Sequence, residues 1–264
     1  MKTLNLSLLA LLAVLFALPA MAAPTGTVYA NGGSAKGTLR WMNSKKAYTV
    51  TNAKGMTTEY PADDVDSVEV DRPKELDAAI KKVKAGSAAA AIADLDKIVK
   101  EYGHLTYDVE ATQWLAEAHL KQGNTKEALK ACEAIIRNNA EAAYKGAMAT
   151  AYWRALNKDG QGSKLSLLLD KAVASGDDDV AAAALVARGN AAMERGSNRA
   201  NCEEALRDGY LRVILLYADN SRDAYAEALY MGAKAFDGMG QGNRANKLRE
   251  TLKANCPSSD WARK

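Results

Sequence analysis

From Lys74 to Cys256 the chain contains no proline, although Pro73 and Pro257 stand at the two ends of that stretch. Proline removes a backbone donor and clashes with the preceding helical turn, so this alanine-rich segment, punctuated only by glycines and polar turns, suits consecutive helices. Histidine is almost missing. His104 and His119 occur in neither an HExxH pair nor a His–Cys ligand spacing, which leaves a histidine-built metal or catalytic centre poorly supplied. Cysteine is scarce and odd in number: Cys132, Cys202 and Cys256, with no CxxC. At least one thiol is therefore unpaired within a monomer, and the placement of Cys202 and Cys256 near opposite ends of neighbouring predicted helices favours free, buried thiols over a disulfide. Neither sign of charge dominates. Lys plus Arg number 35 against 32 Asp plus Glu, a formal net charge of +3, interspersed as on solvated helix faces, which is no nucleic-acid signature.

One long apolar run is present, at the start. Lys2, the stretch from Leu4 to Leu18, Pro19 and then Ala20-Met21-Ala22 read as the charged region, apolar region and small-residue cleavage site of a signal peptide cut before Ala23. The run is shorter than the ~20 residues that cross a bilayer. No cysteine follows the cut, which argues against a lipid anchor. The mature protein is expected in a periplasm or outside the cell.

Between Thr27 and Val70 short runs of β-branched and aromatic residues alternate with turns: Thr27-Val28-Tyr29, Thr38 to Trp41, Ala47 to Thr51, Thr57 to Tyr60 and Val65 to Val70. Asn31-Gly32-Gly33, Asn43-Ser44-Lys45 and Asn52-Ala53-Lys54-Gly55 supply the turn chemistry. Five strands of this length close most compactly as a small antiparallel barrel. The arrangement resembles SH3-like and PRC-type barrels, whose final strand matches Asp64-Val65-Asp66-Ser67-Val68. Asp63, Asp64, Asp66, Glu69 and Asp71 lack the glycine-bearing loop of a calcium site and alternate with valines, so they read as the wet face of an edge strand.

In the helical segment a spacing recurs: a small residue, a glycine seven positions later and an alanine twelve later. Ala79, Gly86 and Ala91 show it, as do Ala116, Gly123 and Ala128, and Ala233, Gly240 and Ala245. Two antiparallel helices cross tightly only where side chains are small, and the glycine supplies the turn between them. With Gln113-Trp114-Leu115-Ala116 leading into Gly123-Asn124, this stretch resembles the tetratricopeptide family. Further copies are imperfect. The one around Gly189 and Gly196 has its Ala205 late, as if Asn198 to Asn201 were inserted in the turn, and Tyr144 to Leu156 with Leu165 to Val173 form a hairpin without evident glycine spacing. In the first hairpin the family frame would bury Glu75 and Lys82, whereas the apolar stripe is Leu76, Ile80 and Val83; that helix is expected to pack on the barrel, with Arg72-Pro73 too short to act as a tether. The segment Ala205 to Arg249 resembles bacterial periplasmic repeat proteins such as the Tol-Pal coordinator and outer-membrane or pilus assembly helpers, through Leu215-Leu216-Tyr217 followed by Ala224 to Gly232.

The expected fold is α+β: signal peptide 1–22, β-barrel module 23–72, an α-solenoid of about five helical hairpins over 73–258, and a tail 259–264. Reactive motifs dissolve on inspection. Gly160-Gln161-Gly162-Ser163-Lys164 lacks Walker spacing, Gly238 to Gly242 follows a helix rather than a strand, and Asp177-Asp178-Asp179 reads as a helix cap. His119 and Cys132 sit where the family packs side chains between helices. Arg244, Lys247, Arg249, Lys253, Arg263 and Lys264 make the last helix and tail basic, as a solvated terminal cap would be, with Trp261 packing back.

These readings imply a non-enzymatic scaffold without cofactor or metal, binding a protein or peptide in the cell envelope along its first helices. In the family frame the groove residues are Gln113, Glu117 and Lys121, then Val186, Asn190 and Glu194, then Tyr230, Lys234 and Asp237, each trio at i, i+4 spacing. The rival expectation is a carbohydrate or peptidoglycan binder that stacks sugars on Trp41, Tyr48 and Tyr60 of the barrel.

Overall fold

The computed structural model describes residues 23–264; the expected signal peptide lies outside the described residues. Five strands, β1 (Thr25–Ala30), β2 (Gly33–Met42), β3 (Ala47–Thr51), β4 (Thr57–Pro61) and β5 (Val65–Val70), form one antiparallel sheet in the order β4-β3-β2-β1-β5. Each β-run anticipated from the pattern is a strand. The β1–β2 hairpin turns on Asn31 and Gly32, both at positive φ (51° and 73°), the left-handed pair that a two-residue turn between twisted strands requires. The ladder does not join β4 to β5 among the described residues; a 3₁₀ turn, Ala62–Asp64, carries the chain between these two edges. On β5 the carboxylates face outward, where Glu69 accepts from Tyr29 Oη at 3.1 Å.

Helices fill the proline-free stretch from end to end, beginning at Lys74 behind Pro73 and finishing at Asn255 ahead of Cys256-Pro257. Five hairpins follow one another: α1 (Lys74–Lys84) with α2 (Ala89–Glu101), α3 (Asp108–Lys121) with α4 (Thr125–Ile136), α5 (Ala147–Lys158) with α6 (Gly162–Val173), α7 (Asp178–Glu194) with α8 (Arg199–Ala205) and α9 (Leu211–Leu216), and α10 (Arg222–Gly238) with α11 (Gly242–Asn255). A positive-φ glycine opens every hairpin turn, at Gly86, Gly123, Gly160, Gly196 and Gly240. Ala79, Ala91, Ala116, Ala128, Ala233 and Ala245 are all buried, as close-contact residues must be.

Two departures from the sequence reading have physical causes. The α5–α6 hairpin does keep the glycine spacing, through Gly160, but Trp153 and Leu165 occupy the positions that are small elsewhere. Both are buried, so large side chains fill this helix interface. In the fourth hairpin Asn198 caps α8 by accepting from the Asn201 amide at 2.9 Å, so Arg199 to Asn201 are helical rather than a loop insertion. A π turn, Leu206–Tyr210, then joins α8 to α9. Such turns are rare and admit an extra residue without ending the helix.

The sheet is not a separate bead. Val28, Leu39 and Val50 share one core with Leu76 and Val83 of α1, Leu95 and Ile98 of α2, and Leu115 of α3, and Ile80 packs against it half-buried. Glu75 is exposed and Lys82 pairs with Asp94 at 2.7 Å, so α1 does turn the stripe of Leu76, Ile80 and Val83 inward. At the joint, Arg72 holds Glu110 of α3 with two bonds, at 2.7 and 2.8 Å, and also reaches Asp77 of α1. These carboxylates raise the guanidinium pKa, the Glu110 hydrogen bonds most of all. Sheet and helices are therefore expected to give one calorimetric transition, which Arg72→Ala lowers in temperature without splitting. Two well-separated endotherms in the wild-type protein would show the modules to be independent.

Candidate functional site

The first helices pack side by side in the order α1, α3, α5, α7, α10. Polar side chains tie each to the next. Lys121 of α3 donates to the Val83 carbonyl at the end of α1, at 2.7 Å. Arg154 of α5 pairs with Glu117 of α3 at 2.5 Å, Asn157 of α5 donates to Glu194 of α7, and Asn190 of α7 donates to Glu227 of α10 at 3.0 Å. The last three braces each join residues 37 apart. Arg154 and Asn157 escaped the sequence reading because the third hairpin offered no frame, and Glu227 because it lies outside the i, i+4 trio of α10; the 37-residue interval was the available signal.

The expected groove residues thus fall into four groups. Gln113, half-buried, makes no side-chain hydrogen bond among the described residues, and Lys234 is exposed with its ammonium 5.7 Å from the Tyr230 ring. Glu117, Lys121, Asn190 and Glu194 are engaged in the braces, and Asp237 pairs with Arg249 of α11. Val186 does not face a groove: it is 4% exposed and belongs to the core shared by α7, α8 and α10, because the helix turns that position toward α8 and the π turn. Tyr230 is half-buried, its ring 5.3 Å from that of Trp261, while Lys264 lies 3.5 Å from the Trp261 ring centroid. The tail therefore does pack back, and it does so onto the α10 end of the stripe.

Behind the stripe, Tyr210 of the π turn donates to Asn190 Oδ1 at 2.8 Å, while Asn190 Nδ2 donates to Glu227. Burial raises the Glu227 carboxyl pKa, opposed by the Asn190 hydrogen bond and by the charges of Arg154 and Lys264. The Tyr210 phenol is raised as well, chiefly by burial. This network fixes where α7, the π turn and α10 meet.

The thiols and His119 are packing residues. Cys132 is fully buried and its thiol is pushed up to about 12, the wrong direction for a nucleophile. His119 is driven the other way, toward the neutral form, by the same cause. All three cysteines are free and buried. Gly160 to Lys164 and Gly238 to Gly242 form hairpin turns and the starts of second helices, and Asp177 caps α7 by accepting from the Val180 amide at 3.1 Å. Trp41 stacks on His104 of the α2–α3 loop at 4.5 Å, and Tyr48 Oη donates to the His104 carbonyl at 3.3 Å. The aromatic group weighed for sugars is thus used, on its Trp41 and Tyr48 side, to seat the sheet on the helices.

No helix among the described residues is long and apolar enough to cross a membrane. Neither a curated protein nor a solved structure matches the chain significantly. A family profile described as tetratricopeptide repeat matches residues 82–151, from the last turn of α1 into α5. The chain is thus tetratricopeptide-like in its helical array, and such repeats generally mediate protein–protein interaction and scaffolding.

Proposed function

We propose that the protein is an exported, non-enzymatic scaffold that binds a protein or peptide segment in the cell envelope along its first helices. The observation that carries this reading is the continuous, braced row of first helices, which presents Gln113, Lys234 and the edge of Tyr230 at fixed spacing on a rigid support. Recognition of an extended segment needs such a support more than it needs any reactive group. The amino-terminal pattern of Lys2, an apolar run and Ala20-Met21-Ala22 supports export, and the likeness of Ala205 to Arg249 to periplasmic repeat proteins supports an envelope setting.

The test is site-specific photocrosslinking in the native envelope. A photoreactive residue at Gln113 or Lys234 is expected to form a discrete protein adduct, while one at Lys130, exposed on the second helix α4, gives none. Glu117 is a poor probe because its replacement breaks a brace. Adducts from Lys130 or from Lys36 on the sheet, with none from α3 and α10, would move the binding face elsewhere. Recovery of the protein in the cytoplasm with residues 1–22 still attached would remove the export half of the proposal.

A further inference from the structure

We infer that the cleft between α9, α10 and α11 is a second binding site, built for an acidic protein segment that presents one large apolar side chain. The cleft encloses about 320 Å³, walled by Ile214, Leu229, Phe236 and Leu248, with Arg244 and Lys247 of α11 at its rim. That volume is at the small end of binding pockets, roughly 300–1,000 Å³, and suits one aromatic or branched anchor rather than a cofactor. Its rim is cationic and lacks carboxylate partners. Arg244 donates to Gln241 and lies 5.8 Å from the Phe236 ring, and neither it nor Lys247 pairs with a carboxylate among the described residues. The nearby Arg249, by contrast, is neutralised by Asp237.

An apolar recess beneath two unpaired cations calls for an apolar side chain with carboxylates beside it. The chemistry extends past the recess. Directly after Ile214, Leu215 and Leu216 are 78% and 62% exposed, far more than a helix end needs, and they offer apolar surface to a partner larger than a small molecule. An anionic membrane is the poorer fit, since lipid-binding clusters gather roughly 4–8 cations. Of the basic residues on α11 and the tail, Arg249 and Arg263 are paired with Asp237 and Asp260 and Lys264 packs on Trp261, and a membrane has no use for a walled recess. The cleft takes Leu229 and Phe236 from α10 and its other walls from α9 and α11, and neither Gln113 nor Lys234 lines it.

The probe is a fluorescently labelled peptide with a central tryptophan flanked by glutamates, titrated into the protein and read by anisotropy beside its lysine-flanked and alanine-centred counterparts. The glutamate peptide is expected to bind more tightly than either counterpart by about tenfold or more, weakening with salt. The double variant Arg244→Glu with Lys247→Glu should reverse the charge preference, and because both residues are exposed its melting should match that of the wild type. Absence of saturable binding up to about 1 mM peptide, or a charge preference that survives in the variant, would overturn the site. So would equal binding to phosphatidylglycerol vesicles lost in the same variant, which would assign the cleft to a membrane. A concentration-dependent dimer that the variant abolishes would assign it to a second copy of this chain.

Discussion

Trp153→Ala is expected to destabilise the protein by about 3–5 kcal/mol, the usual range for deleting a buried indole. Trp153 is 2% exposed in the middle hairpin and donates its indole N–H to the Ala143 carbonyl at 2.9 Å. Truncation leaves both a void and an orphaned carbonyl. The counter-argument is that alanine at this position would restore the small residue found in the other hairpins and let α5 close on α6. The braces decide against it. Arg154 and Asn157 hold α5 to Glu117 and Glu194 on its two neighbours, so α5 cannot move toward α6 without breaking ion-pair and amide contacts on both sides. Because repeats are stabilised mainly by their neighbours, the damage at the middle of the row should also broaden or split the transition. Urea melts monitored by far-ultraviolet circular dichroism check both effects; a midpoint within the equivalent of 1 kcal/mol of wild type, with an unchanged slope, would mean the hairpin collapses after all.

Gly209→Ala should destabilise by about 1–3 kcal/mol or somewhat more, although alanine is the better helix former. A Cβ at this position in the π turn would lie 2.8 Å from Gly189 Cα and 2.8 Å from the Leu185 carbonyl oxygen. Those are backbone atoms of α7, which cannot rotate away. The two segments would have to separate, carrying Tyr210 off Asn190 and loosening the bond from Asn190 to Glu227. Gly162→Ala is the control: an added Cβ there meets nothing within 4 Å, at the first position of a helix, and the change should be within about 0.5 kcal/mol of neutral. Equal melting temperatures for the two variants would refute the close packing of the π turn on α7.

How much of this was legible beforehand can be read residue by residue. Pro73 and Pro257 marked the ends of the helical array because proline acts through its own backbone, whatever surrounds it. Gly86, Gly123 and Gly240 marked turns for the same kind of reason, and Asn31-Gly32 marked a hairpin. The alternation of valines and threonines located the strands, and the stripe of Leu76, Ile80 and Val83 pointed α1 toward the sheet, since which face is apolar is a property of a helix alone. These are local interactions, with a range of one or two turns.

The candidate site was not local. Glu117 was legible as a polar position on a first helix, but its bond to Arg154 spans 37 residues and exists only when neighbouring hairpins stack in register. Val186 was assigned to the groove by its spacing from Gly189, yet a helix packed on two sides buries more than one stripe, and only the position of α8 and the π turn decided that this one is core. The π turn itself has no sequence signature here; it is selected by the fit of Gly209 against Gly189. The cleft on α9, α10 and α11 takes its walls from three helices and its rim charge from side chains that pair with no carboxylate among the described residues. Elements follow from short-range backbone and periodicity terms that one segment carries by itself, whereas pairing, burial on a second face and unfilled space are decided only when the segments meet.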